Sequence, residues 1–142
     1  GTDIAKAVKK DVYLPETKGF SAYHIPQVAF LLPEISQVKS GTYDDSLKYE
    51  SGKFAYRSNG MALASQEENG LCKTMYDSER NQLVYMGILG EGAGELIHSG
   101  VHSMDAEADF DELTGSVAGH PSLTEIIHEA LLDIKKLGIH QL

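Results

Sequence analysis

Two periods of apolar and polar positions divide this chain. Before Gly90 the period is two. The compact apolar run QVAFLL (27–32) stops at Pro33, and LKYESGKFAY (47–56) alternates about Gly52 as a bent or bulged strand pair does. GLCKTMYD (70–77) and QLVYMGILG (82–90) follow, and the short polar link of Ser78, Glu79, Arg80 and Asn81 between them suits a β-hairpin.

After Gly90 the period lengthens toward that of a helix. Leu96, Ile97 and Val101 recur at helical spacing, and Asp109 or Asp111 is placed to start a second helix carrying Leu113 and Val117. The last helix is the clearest: Leu123, Ile126, Ile127, Ala130, Leu131, Ile134 and Leu137 line one face, with Gly138 where a C-terminal cap belongs. Strands first and helices afterwards predict an α+β domain, an antiparallel sheet with helices packed on one face. Residues 1–24, with scattered charge, Pro15 and Gly19, predict a short helix or arm leading into a domain over 25–142.

Composition narrows the class. The chain has 142 residues, of which 42% are hydrophobic, enough for one core. A net charge of -9, with basic residues scattered rather than clustered, argues against a nucleic-acid partner. No apolar run approaches the roughly 20 residues that span a bilayer, and no signal-peptide pattern opens the chain. A single cysteine, Cys72, excludes an internal disulfide or dithiol centre and gives no reason to expect an oxidising compartment. A cytoplasmic location is the expectation.

Candidate chemistry sits in GHPSLTEIIHEALL (119–132). Ser122 and Glu125 are spaced as a capping box, in which the serine oxygen accepts from the Glu125 N–H and the carboxylate accepts from the Ser122 N–H. On spacing alone that reading accounts for both residues and leaves only His120 without a role. Glu95, His98 and His102 share one helical face as metal ligands would, but nothing nearby completes a coordination shell, and no metal site is assigned. Cys72 is expected in the core, His128 in polar packing, and His24 and His140 at the surface.

Four ordered blocks change the balance: IPQVAFLLPEISQV (25–38), GKFAYRSNGMAL (52–63), GAGELIHSGVHSM (92–104) and AGHPSLTEIIHEAL (118–131). In order and spacing they resemble the C-terminal interface domain of the flavin-dependent pyridine nucleotide-disulfide oxidoreductases, most of all the branch that oxidises dihydrolipoamide. The ending KKLGIHQL is similar to that branch's short tail. The resemblance implies a homodimer whose active sites each draw on two subunits. One would supply flavin and a redox disulfide. The other would supply His120 as acid and base toward a dihydrolipoamide-type dithiol, oriented by Glu125. It also implies a cis bond before Pro121, places His120 and Pro121 beside the flavin, and makes FAD and NAD the cofactors of the full-length enzyme.

A 2-oxo acid dehydrogenase complex is the implied larger partner, in the cytoplasm or a mitochondrial matrix. Because neither a Gly-x-Gly-x-x-Gly fingerprint nor a spaced cysteine pair occurs, the flavin and nicotinamide domains and the disulfide are expected outside these residues, with 1–24 as the arm or linker from the flavin domain. The chain alone is expected to be inactive. Leu31, Lys39 and Met61 depart from the family's usual residues, and KSGTYDD (39–45) replaces a surface helix with a turn. Two other readings stand beside this one: a non-catalytic dimerisation module, and the interface domain of a mercuric or glutathione reductase. One carboxylate is expected to serve fully either as cap or as orienter, not both.

Overall fold

A computed structural model describes residues 24–138. Five strands, β1 (Gln27–Ala29), β2 (Ile35–Lys39), β3 (Glu50–Ala55), β4 (Leu71–Asp77) and β5 (Gln82–Leu89), form one sheet in the order β1-β2-β5-β4-β3. Every neighbouring pair is antiparallel. The helices are α1 (Gly60–Ala64), α2 (Ala93–Leu96), α3 (His98–Asp105), α4 (Phe110–Gly115) and α5 (Thr124–Ile134). The arm expected over 1–24 falls, except for His24, outside the described residues, as do His140 and the Ile-His tail. Among the described residues no helix is long and apolar enough to cross a membrane.

Alternation along the strands decides which face is covered. Ser36 and Val38, Ile88 and Met86, Cys72 and Thr74, Phe54 and Gly52 lie opposite one another in successive pairings, and all are buried. Ile97, Met104, Ile126, Ala130, Leu131 and Ile134 of the helical half bury against them in one cluster. The other face keeps Lys39, Lys53, Lys73, Leu71 and Leu89 exposed. This is the α+β arrangement that the two periods predict.

Gly52 does not bend or bulge its strand. It pairs in register with Thr74, and the irregularity in the sheet lies between Met75 and Tyr76. The reason for glycine is α5: a Cβ at position 52 would stand 2.0 Å from the Ala130 carbonyl oxygen and 2.7 Å from the Ile134 nitrogen. The hydroxyl of Thr74 donates to that same carbonyl at 3.0 Å, and the Lys53 N–H donates to Asp133 Oδ2 at 2.9 Å. The helix thus rests on backbone.

The most apolar run in the sequence is not a core strand. Only residues 27–29 of QVAFLL pair, while Phe30, Leu31 and Leu32 are 82%, 60% and 97% exposed. The more central strand is the mixed segment Ile35–Lys39, whose Ser36 and Val38 point inward. A cis bond joins Leu32 to Pro33 between them. Beyond it, the Ser36 hydroxyl donates to the Ala93 carbonyl at 2.7 Å, and the Gly94 N–H donates to Glu34 Oε2 at 3.1 Å, tying α2 to this strand.

Helix ends also differ from expectation. Asp109 and Glu112 make the capping box that starts α4, and Leu113 is buried, but Val117 lies past the helix and is 97% exposed. The helical stretch after Gly92 is broken at Ile97 into α2 and α3. At the end of α5 the left-handed position is Lys136, with φ 58°, rather than Gly138. The Lys136 N–H donates to the Asp133 carbonyl at 3.1 Å and the Leu137 N–H to that of Leu132 at 3.0 Å, a Schellman closure, and Leu137 stays exposed.

Candidate active site

α5 is amphipathic, so burial of Ile126, Ile127, Ala130, Leu131 and Ile134 fixes its rotation on β3 and β4. That rotation sets Glu125 at the rim, a quarter exposed, directly after the turn of His120, Pro121 and Ser122. The His120–Pro121 bond is cis. His120 Nδ1 lies 2.8 Å from Glu125 Oε1, and the Ser122 N–H donates to Glu125 Oε2 at 2.8 Å. One carboxylate therefore serves both roles, one oxygen for each. The expectation that it would do only one fully is corrected: the two oxygens point to separate donors.

Only half of the predicted capping box forms. The Ser122 hydroxyl is buried without a hydrogen-bond partner, and α5 begins without a side-chain cap of that kind. Holding the turn instead is a residue that the sequence did not single out, Asn59. Its Nδ2 donates to the Ser122 carbonyl at 3.0 Å. The available signal was the Asn59-Gly60 step before an apolar stretch, which reads as a helix start.

The His120 side chain is 78% exposed. Facing a carboxylate, Nδ1 is the donor, and that tautomer leaves Nε2 as an acceptor. A group arranged in this way takes a proton at Nε2 while the carboxylate steadies the resulting imidazolium. The Tyr56 hydroxyl donates to the Glu91 carbonyl at 2.9 Å, and burial pushes its pKa well above the phenolic range, so it acts as a fixed neutral brace.

The remaining candidates separate. Glu95 lies on α2 while His98 and His102 lie on α3, all three exposed. Among the described residues no group of three His, Cys, Asp or Glu side chains comes together as a metal site would. Cys72 is wholly buried, and burial pushes its thiol up to about 12. His128 Nε2 bonds the Thr114 carbonyl at 2.9 Å, joining α5 to the end of α4. His24 is not simply exposed, because its Nδ1 meets Asp105 Oδ1 at 2.6 Å.

His120 and Pro121 are exposed and the imidazole stands outward, so the implied flavin would be reached from this surface rather than enclosed by it.

Residues 25–131 match the family model described as the pyridine nucleotide-disulphide oxidoreductase dimerisation domain, and the chain belongs to that family. Its curated relatives include dihydrolipoyl dehydrogenase of Bacillus subtilis, 31% identical over 120 residues that cover 82% of this chain and 26% of that protein. Mitochondrial dihydrolipoyl dehydrogenase 2 of Arabidopsis thaliana is 30% identical, with 82% and 24% covered. The chain spans about a quarter of the length of these relatives. In fold it is similar to LpdA of Mycobacterium tuberculosis, with a TM-score of 0.71 at 23% identity over 79% of this chain and 25% of that one. It is also similar to the HOCl-induced flavoprotein disulfide reductase RclA of Escherichia coli, with a TM-score of 0.69 at 18% identity over 76% and 26%.

Proposed function

We propose that this chain is the interface domain of a dihydrolipoamide dehydrogenase, forming the homodimer and lending His120 and Glu125 to the partner subunit's active site. The observation that carries the proposal is the exposed His120 imidazole held through Nδ1 by Glu125 at 2.8 Å. Two relatives at about 30% identity that bear the dihydrolipoyl dehydrogenase name support the choice of substrate.

A dithiol near its ordinary pKa of about 8.5 is mostly protonated at neutral pH, and disulfide exchange needs a thiolate. His120 Nε2 accepts the thiol proton, leaving sulfur with the electron pair that attacks a disulfide sulfur; the departing thiolate takes the other pair. Glu125 keeps the imidazole in the competent tautomer and stabilises its protonated form. His120 returns that proton to the departing sulfur and takes the proton of the second thiol, whose sulfur attacks the substrate sulfur of the mixed disulfide and expels the remaining protein thiolate, so lipoamide leaves oxidised and the protein pair reduced. FAD and NAD, held outside these residues, would supply the electron relay that reoxidises it. His120 and Pro121 would meet the flavin only from the surface. A 2-oxo acid dehydrogenase complex, which carries lipoyl groups, fits as the larger partner, in the cytoplasm or a mitochondrial matrix.

The test begins with the mass and visible absorbance of the native polypeptide that carries this sequence. A yellow protein several times heavier than 15.5 kDa is expected. A colourless protein of this size overturns the enzyme reading in favour of a non-catalytic module. In the yellow protein, His120→Gln is expected to lower dihydrolipoamide oxidation about 10²- to 10⁴-fold, the usual contribution of a positioned acid–base group, with flavin retained. Near-normal turnover sinks the assignment.

A further inference from the structure

We infer, resting on the acid–base reading of His120 and Glu125, that Asn59 is a positioning residue that holds the catalytic turn in register with Glu125. Asn59 is 4% exposed, and both ends of its amide are committed. Oδ1 accepts from the Ala62 N–H at 2.9 Å, capping α1, while Nδ2 donates to the Ser122 carbonyl at 3.0 Å. Its own N–H donates to the Tyr56 carbonyl at 2.8 Å, and Tyr56 is fully buried. The residue is thus anchored in the core and reaches across 63 positions of sequence to the turn.

The turn needs such an anchor. His120 and Glu125 meet only if the chain between them is fixed, and the predicted serine cap does not fix it, since the Ser122 hydroxyl has no partner. Ser122 is instead gripped through its backbone on both sides, by Glu125 at the N–H and by Asn59 at the carbonyl. Pro121, with its restricted φ, passes that constraint on to His120. Without the Asn59 donor, the Ser122 carbonyl loses its partner and Glu125 holds the turn from one side only. A displacement of about 1 Å in a reacting group costs on the order of a hundredfold in rate.

The two ends of Asn59 permit a selective test in the complete flavoprotein. Asn59→Asp keeps a capping oxygen for Ala62 but sets an acceptor against the Ser122 carbonyl. Asn59→Ser keeps a cap and is too short to reach Ser122. Both variants are expected to lower kcat for dihydrolipoamide about 10- to 100-fold with KM nearly unchanged. NADH-driven reduction of ferricyanide, which bypasses the dithiol, is expected to stay at the parent level, as are flavin content and dimer mass. Dithiol turnover within twofold of the parent, alongside an inactive His120→Gln, overturns the role of Asn59 and leaves the His120 reading intact. Parallel loss of dithiol and ferricyanide activity in both variants also overturns it, because that marks a purely structural brace. Normal turnover by His120→Gln removes the reading on which the inference rests.

Discussion

Glu125 holds His120 with one carboxylate oxygen and the backbone of its own turn with the other, each at 2.8 Å. The imidazole and the turn that presents it are thereby fixed by the same group. Glu125→Gln keeps the size but turns one acceptor into a donor, so one of the two bonds must fail. The expected result in the complete enzyme is loss of dihydrolipoamide turnover by about two orders of magnitude, the lower end for acid–base function. A stability loss of about 1 kcal/mol is expected beside it, as for one hydrogen bond. Loss of stability with intact turnover in steady-state assays leaves only the cap.

The contact between Gly52 and Ala130 sets the distance of α5 from the sheet. Gly52→Ala would place its Cβ against backbone atoms of the helix, which have no rotamer with which to yield. The expected cost is about 3 kcal/mol, the upper part of the range for overpacking, measured by urea unfolding. Gly60, with nothing within 4 Å of its would-be Cβ, is the control. There alanine is expected to add about 0.4–1 kcal/mol by stiffening the unfolded chain. Equal effects at the two positions would contradict the proposed close approach.

Asp77 closes the turn between β4 and β5. Its carboxylate accepts from the N–H groups of Glu79 and Arg80 at 3.0 and 3.1 Å, and from the Arg80 guanidinium at 2.7 Å. Burial pushes its pKa up, but these donors outweigh that effect and hold it below the ordinary value. A lowered native pKa means that the stabilisation is complete above the unfolded value of about 3.9 and is lost as pH falls through the native one. Asp77→Asn is therefore expected to cost about 1–2 kcal/mol at pH 7, with the gap to the parent chain narrowing below about pH 4. A gap independent of pH in denaturation series refutes the electrostatic account.

Lys136 occupies a left-handed backbone position at the end of α5 that suits glycine. Its exposed pairing with Asp133 at 3.1 Å is a small compensation. Lys136→Gly is expected to raise stability by about 0.5–1 kcal/mol, seen as a higher urea midpoint with unchanged slope. A lower midpoint would show that the ion pair outweighs the strain.

The positions of β4, β5 and α5 were legible because each follows its own period: Cys72, Thr74 and Tyr76 alternate inward, while Ile126, Ala130 and Ile134 line one helical face. QVAFLL misled because apolar content is not burial. Ile35–Lys39 carries no apolar run to mark it as a strand, because three of its five side chains face outward and only Ser36 and Val38 are buried. His120 and Glu125 are five residues apart, but spacing alone gives Glu125 to Ser122, and only the family resemblance joins it to His120.

What the sequence by itself determined is the α+β class, the β4–β5 hairpin and the final helix, since these follow from the period within a segment, and the pairing of His120 with Glu125 through the family resemblance alone. Tertiary structure alone decided that Gly52 receives a helix, that Asn59 grips Ser122, and that the Ser122 hydroxyl goes without a partner. Those contacts join residues 56 to 80 positions apart, and the sequence carries no local period that records them.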